Sequence, residues 1–383
     1  MRERYYSLDV FRGSTVALMI LVNNPGSWSH MFSPLKHAAW HGCTPTDLVF
    51  PFFLFAVGNA MAFVMPRWET AATSSVLIKI FKRTVLIFLI GIFLNWAPFI
   101  RWQGENLVGR PFETLRFLGV LQRIALAYCF AALIVYFFKA RMAFFIGLVI
   151  LLLYWALCIL FGDPANPYSL EGFFGTHVDR WLLGENHLYK GEGVPFDPEG
   201  LASTLPAIVQ VMFGYFVGRY IQLKGKTFEM LSNLFVAGCV LIFTGFCWDL
   251  SFPINKKIWT SSYVCYTTGL AMLVLGIMIY LIEFREYRGS WSRFFVVFGK
   301  NPLFIFVLSG FLPRVQGLIR WVDHVDDKGK PVYMTPFAWF YQYVCKPVSD
   351  KLEVGSLLYA LCMIAFYWLI VWWLDRKRIY IRV

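Results

Sequence analysis

Charge is scarce in this sequence of 383 residues: Asp, Glu, Lys and Arg make up 15% of it, against an average of about 25% in soluble domains. Together with 58% hydrophobic residues, that shortage excludes an ordinary soluble globular domain. No CxxC spacing occurs among the cysteines. Cys129, Cys158, Cys239 and Cys362 sit inside apolar runs, as small hydrophobes rather than as a disulfide framework or a metal site. There is no internal repeat and no low-complexity segment, so residues 1–383 read as a single domain. No small-residue cleavage site follows Met1-Arg2-Glu3-Arg4, so the first apolar segment is expected to remain as a helix.

Aromatic residues, by contrast, are abundant at 19%, as expected for lipid-facing helices with interfacial belts. The expected fold is all-α, a polytopic transmembrane helix bundle. With about 20 apolar residues as the length of one span, about ten spans fall near 8–24, 46–65, 76–95, 116–137, 142–161, 204–222, 232–250, 261–282, 300–318 and 356–375. One set of connections holds Arg2 and Arg4, Arg67, Lys79, Lys82 and Arg83, Lys139 and Arg141. The same side takes Arg219, Lys224 and Lys226, then Arg285, Arg288 and Arg293, then Arg376, Lys377, Arg378 and Arg382. Excess Lys and Arg mark the cytoplasmic side, which puts both termini there and His37 outside. The formal charge of +12 follows from this topology, and no nucleic-acid partner is expected.

The outer connections are longer and more acidic. The largest, about 162–203, carries Asp163, Glu171, Asp179, Glu185, Glu192, Asp197 and Glu199. Its Trp181, Leu182 and Leu183 predict an ordered cap. A second outer segment, about 319–355, includes Phe337, Trp339, Phe340 and Tyr341. It is too short and too polar at its flanks for a span, and a re-entrant course is expected.

Chemistry concentrates where a polar stretch turns into an apolar helix, from His37 through His41, Thr44, Pro45 and Asp47 to Phe50. A titratable histidine at the mouth of a membrane bundle is a candidate for catalysis, although a lone histidine more often just satisfies hydrogen bonds. His37 and His41 also have the i, i+4 spacing of helical metal ligands, but no HExxH glutamate lies between them, and metal is the weaker reading. Asp47 can orient an imidazole as a triad carboxylate does, cap the following helix, or do both. Asn23 and Asn24 end the first span before Pro25-Gly26. They read either as helix-end chemistry, which their types favour, or as an amide facing a reacting carbonyl.

Asp9 and Arg12 form an intrahelical pair. Arg123 falls inside the fourth span, where an arginine is costly and marks function by default. Lys300-Asn301-Pro302 opens the ninth span, ready to meet phosphates or lie at the interface. His187, Asp197, Glu199 and Trp259 form a polar and aromatic outer lip that suits sugar binding. Capping by the acids and interfacial placement of Trp259 are the plainer alternatives.

The stretches Ser7-Leu8-Asp9-Val10-Phe11-Arg12-Gly13, His37 to Trp40, Asp47 to Pro51 and Gly119 to Arg123 resemble the heparan-alpha-glucosaminide N-acetyltransferase family. So do Asp179 to Gly184, His187 to Tyr189, Phe196 to Gly200 and Asn255 to Trp259, and the resemblance runs in order over essentially the whole chain. It implies a transmembrane acetyltransferase that uses cytoplasmic acetyl-CoA as co-substrate and no metal. The acceptor would be the amine of a terminal glucosamine or similar amino sugar outside.

Residue by residue, the resemblance implies His37 as the active-site histidine, Asn23 as the asparagine beside it and Asp47 as the supporting carboxylate. Arg123, Arg83, Lys300 and Asn301 are the nominees for acetyl-CoA. The family motif does not ask for a histidine at position 41. The chain lacks the extra N-terminal luminal segment of lysosomal members, which implies a bacterial relative in the inner (plasma) membrane, in contact with the bilayer and compatible with a homodimer. Since related bacterial chains carry N-acetylglucosamine transporter labels, amino-sugar transport without acetyl transfer is the alternative.

Overall fold

A computed structural model describes residues 5–381. Arg2, Arg4 and Arg382, counted above on the positive side, lie outside the described residues. The helices are α1 (Tyr6–Asn23), α2 (Val49–Trp68), α3 (Thr73–Trp96), α4 (Val120–Phe137), α5 (Ala140–Phe161), α6 (Phe174–Leu183), α7 (Thr204–Lys224), α8 (Phe228–Asp249), α9 (Ser261–Ile279), α10 (Ser290–Lys300), α11 (Pro302–Gln316), α12 (Pro336–Phe340) and α13 (Leu352–Arg376). A helix stands at each expected span.

Fewer of them are apolar enough to cross a membrane than the sequence reading expected. Among the described residues six pass on length and composition, namely α4, α5, α8, α13, α2 with its lead-in from Pro45, and α9 extended to Phe284. Helices α10 and α11 add a seventh if counted as one span bent by 79°. The others fall short because they carry polar groups: Asp9 and Arg12 in α1, Lys79, Lys82 and Arg83 in α3, Arg219 and Lys224 in α7. The bend falls at the start of the expected span over 300–318, which α11 fills. Pro302 has no N–H to continue the ladder of α10, and Asn301 takes a non-helical backbone there.

Both ends of the described chain meet at one end of the bundle. The Ser7 N–H donates to Glu283 at 2.9 Å, and Asn301 donates to the Ile379 carbonyl at 3.1 Å and accepts from Ile381 N–H at 2.8 Å. Small residues let the central helices touch, as is usual between membrane helices. A Cβ on Gly58 of α2 would sit 1.9 Å from the Val211 carbonyl oxygen of α7, and one on Gly214 would sit 2.1 Å from that of Phe55. Alanine at either position would force the pair apart.

At the opposite end the cap is ordered, but not by the residues expected. Trp181 is 84% exposed, whereas Phe173 and Phe196 are buried and pack with Tyr154 of α5 and with Phe252 and Ile258. The hydrophobic anchors are the phenylalanines flanking α6 and the Gly-Pro turns, and the Trp-Leu-Leu run faces outward. The segment 319–355 holds a hairpin, β3 (Trp321–Val325) with β4 (Pro331–Met334), followed by α12. A second hairpin, β1 (Ile100–Gln103) with β2 (Asn106–Gly109), lies between α3 and α4. The two hairpins meet where Arg320 packs between Trp102 (3.9 Å to the ring centroid) and Tyr333 (3.8 Å).

Candidate active site

The polar stretch before α2 folds around one carboxylate. Asp47, 1% exposed, accepts at Oδ2 from the Ala38 and Thr44 N–H groups, both at 3.0 Å, and from the Thr44 hydroxyl at 3.0 Å. Its Oδ1 lies 2.6 Å from His37 Nδ1. Thus Asp47 both caps the turn and holds the imidazole. An ionised Asp47 so placed accepts a hydrogen bond from Nδ1–H, which leaves the lone pair on Nε2 free to take a proton.

Lys256 Nζ lies 3.5 Å from Asp47 Oδ1 and 3.1 Å from His37 Nδ1. Burial pushes the Lys256 ammonium below its ordinary pKa, against the pull of Asp47.

These groups line a cavity of about 250 Å³ with Trp40, Arg116, Tyr189, Glu192, Glu199, Lys257 and Trp259. Arg116 forks onto Asp197 at 2.8 and 2.6 Å and also contacts Glu199. Burial alone would weaken its charge, but the two carboxylates outweigh that and hold the guanidinium above its ordinary pKa. Lys257 donates to the Ala39 carbonyl at 2.9 Å and to Glu192 at 2.6 Å, tying the polar stretch to the cap.

The nominated residues are distributed unevenly. His37, Asp47, Glu199 and Trp259 share the cavity, while Asp197 is spent on Arg116 and shuts off from it. His187 turns away altogether, with Nδ1 on the Leu115 carbonyl at 2.7 Å and the ring stacked on Phe117 at 4.1 Å. There it braces the irregular segment before α4 that carries Arg116. His41 Nδ1 lies 3.4 Å from Asn255 Nδ2 and does not line the His37 cavity.

Asn23 lines the adjoining cavity of about 590 Å³, together with Asn24, Trp28, Asn95, Gln122 and Arg314. Asn24 itself does helix-end work, donating to the Ile20 carbonyl at 3.1 Å.

The cationic nominees separate too. Arg83 and Lys300 line a third cavity of about 490 Å³ at the other end of the bundle, with Asp9, Arg12 and Tyr380. Arg83 lies over the Tyr128 ring at 4.7 Å and its Nε has no partner among the described residues. Lys300 pairs with Asp375 at 2.7 Å. Arg12 lies 3.5 Å from Asp9. Asn301 is fully buried and pins the tail that brings Tyr380 and Ile381 to this cavity.

Arg123 is elsewhere, in the first turn of α4. It is 1% exposed, donates to the Gly200 carbonyl at 3.1 Å and contacts Ser203, and lies 5.0 Å above the Trp259 ring.

The three cavities adjoin. Arg116 and Val120 line both the His37 cavity and the middle one, and Leu121 and Phe306 line both the middle one and the basic one. Arg116, Lys256 and Lys257 carry the charge balance at His37, and the sequence reading assigned none of them that role.

No known family model matches the chain. Over its length it is similar to two curated proteins named heparan-alpha-glucosaminide N-acetyltransferase. That of Mus musculus is 26% identical, with all of this chain aligned to 61% of the relative. That of Homo sapiens is 27% identical, with 99% of the chain aligned to 60% of the relative. The chain therefore spans about 60% of the length of the curated relatives it matches, and the family resemblance carried by its motifs is borne out.

Proposed function

We propose that this protein is a transmembrane N-acetyltransferase that moves acetyl from cytoplasmic acetyl-CoA to the amine of a terminal glucosamine or similar amino sugar on the extracytoplasmic side. One observation carries the reading: the row of adjoining cavities has cations at one end and the His37–Asp47 pair at the other. The basic cavity fits phosphates, since Arg12, Arg83 and Lys300 line it and Arg83 Nε, buried without a partner, awaits an acceptor. Acetyl-CoA supplies the acetyl group as an activated thioester.

The rest of the mechanism belongs to this chain. Asp47 fixes the ring of His37 through Nδ1, and His37 Nε2 takes the proton that the attacking amine loses. Such a base contributes about 10²–10⁴-fold. Glu199, Glu192, Tyr189 and Trp40 face the acceptor, acids for its hydroxyls and amine, aromatics for its apolar face. Asn23 opens on the middle cavity, where an amide meets a polar arm passing through. Arg123 serves the acceptor end through Trp259, rather than the phosphates.

The test uses purified protein with acetyl-CoA and a panel of amino sugars. His37→Ala should fold, keep its stabilisation by acetyl-CoA, and lose about 10²–10⁴-fold of transfer. Normal acetylation by the folded variant would remove His37 from the mechanism. Sugar uptake into proteoliposomes without any acetylation would establish the transporter instead.

A further inference from the structure

Three cations line the His37 cavity, Arg116, Lys256 and Lys257, and two of them have close acidic partners. Arg116 forks onto Asp197 and also contacts Glu199. Lys257 pairs with Glu192 at 2.6 Å. Tyr189, another titratable group of the wall, lies under the Arg116 guanidinium at 4.9 Å. Among the described residues that line the cavity, that leaves two charges beside the imidazole. They are Asp47, from the same polar stretch, and Lys256, from the loop before α9.

The loop, not the ring, fixes where Lys256 stands. Gly42 N–H, from the stretch that bears His37, donates to the Ile254 carbonyl at 2.7 Å. Thr260 N–H donates to the Asn255 carbonyl at 3.1 Å, and Asn255 Oδ1 accepts from Ile258 N–H at 3.1 Å. The Lys256 carbonyl accepts from Trp259 N–H at 3.2 Å. On this tied loop the two lysines diverge, Lys257 to the cap and Lys256 to His37.

Lys256 Nζ lies 3.5 Å from Asp47 Oδ1, the same oxygen that holds His37 Nδ1 at 2.6 Å. It is 3.1 Å from Nδ1 itself. Since the Nδ1 hydrogen is given to Asp47, the ammonium meets the ring as a charge and not as a donor. The two neighbours act in opposite senses: a carboxylate favours the protonated imidazole and a cation disfavours it. The His37 side chain is 44% exposed, so water can supply a proton. With Asp47 alone, the ring would fill from solvent before an amine arrived. A unit charge about 4 Å away changes a protonation equilibrium about tenfold even at the dielectric constant of water.

We infer that Lys256 is a positioning residue, whose ammonium, docked on the carboxylate oxygen that holds His37, keeps the ring free to take the proton of the attacking amine. The step it serves rests on the acetyltransferase reading above. In that step the amine nitrogen bonds to the carbonyl carbon and its proton passes to His37 Nε2. The carbon–sulfur bond then breaks, and the thiolate leaves with the proton from His37. An imidazolium beside an ammonium is the stronger acid, so the same contact favours that return.

The experiment compares the full-length protein with Lys256→Met and Lys256→Arg in detergent, folding being checked by the thermal midpoint. Diethyl pyrocarbonate, which attacks only the neutral imidazole, is applied between about pH 5 and pH 8, and carboethoxylation of His37 is followed by mass spectrometry. In Lys256→Met the labelling profile should move up by about one pH unit, so that His37 reacts about tenfold more slowly on the acid side. The acid limb of kcat for glucosamine acetylation should move with it, with KM for acetyl-CoA retained. Lys256→Arg, which keeps a cation, should stay with wild type. Lys256→Gln makes the same comparison if the Met variant does not fold. A neutral variant whose profile overlies wild type overturns the inference. So does an Arg profile displaced as far as the Met one, or a loss of acetylation equal at every pH. The labelling needs no acetyl transfer, so a protein that acetylates no amino sugar removes the acetyltransferase reading while the effect of Lys256 on His37 is still read.

Discussion

Arg116→Met cuts the connection between the cap and the start of α4. Arg116 makes two hydrogen bonds to Asp197, at 2.8 and 2.6 Å, and a third contact to Glu199. The Asp197 side chain is 0% exposed and that of Glu199 13%, so water cannot replace what is lost. Breaking a buried pair by removing one partner costs about 3–5 kcal/mol, most of it the penalty of the stranded charge. By the size scaling of thermal unfolding, a chain of 383 residues then loses roughly 4–6 °C in melting temperature. The origin is checked by adding Asp197→Asn and Glu199→Gln to the Met variant: with no carboxylate left unpaired, much of the loss should return. Arg116→Lys should fall between, since an ammonium restores charge but not the fork. The readout is the thermal midpoint in detergent, with initial acetylation rates alongside. A single Met variant that melts with wild type, or a triple variant that melts below it, would refute the account of stranded charge.

Asp179, 2% exposed, has its carboxyl pushed up to about 7, first by burial and then by Asp197. A raised carboxyl favours the protonated folded state, so stability from this group is present below its unfolded value of about 3.9 and falls by about 1.4 kcal/mol per pH unit up to about 7. Asp179→Asn, which still accepts from Leu201 N–H, should flatten that slope and melt higher than wild type at pH 8; a lower midpoint there contradicts it. On the proposed reading, Arg83→Ala with Lys300→Ala should cut the thermal stabilisation by CoA, whereas Arg123→Ala should leave more of it; equal shifts in all the proteins would disconnect the basic cavity from the coenzyme.

The helices were legible because an apolar run long enough to span a bilayer needs only local information, and each expected segment is a helix. Which of them are apolar enough to cross was less so, because Lys79, Lys82 and Arg83 sit within the helical register and interrupt it. The His37–Asp47 contact was within reach, since ten positions and a cap signature separate the two. Other contacts gave no local sign. Arg116 meets Asp197 and Glu199 from 81 and 83 positions away, and Lys256 meets His37 from 219. Such pairs depend on how helices are arranged, which periodicity does not encode. The same reason puts Arg123 beside Trp259 and Gly200 rather than in the cavity that Arg83 and Lys300 line. Its burial was readable, but its depth along the bundle follows from where α4 begins, at Val120 rather than four positions earlier.

The start of α4 explains how both ends of the row of cavities serve one reaction. Val120 lines the His37 cavity and the middle one, Leu121 the middle and the basic one, and Ile124 the basic one. Positions i, i+1 and i+4 share one face of a helix, and four residues rise about 6 Å. A single apolar face, little more than one turn long, is therefore the wall past which an acyl arm would run. Charge is kept off that wall and placed at its edges: Arg116 before it, compensated by the cap, and Arg123 turned the other way towards Trp259 and Ser203. On the proposed reading, an acyl arm would run along this apolar face on one side and past the amides of Asn23, Asn95 and Gln122 in the middle cavity on the other.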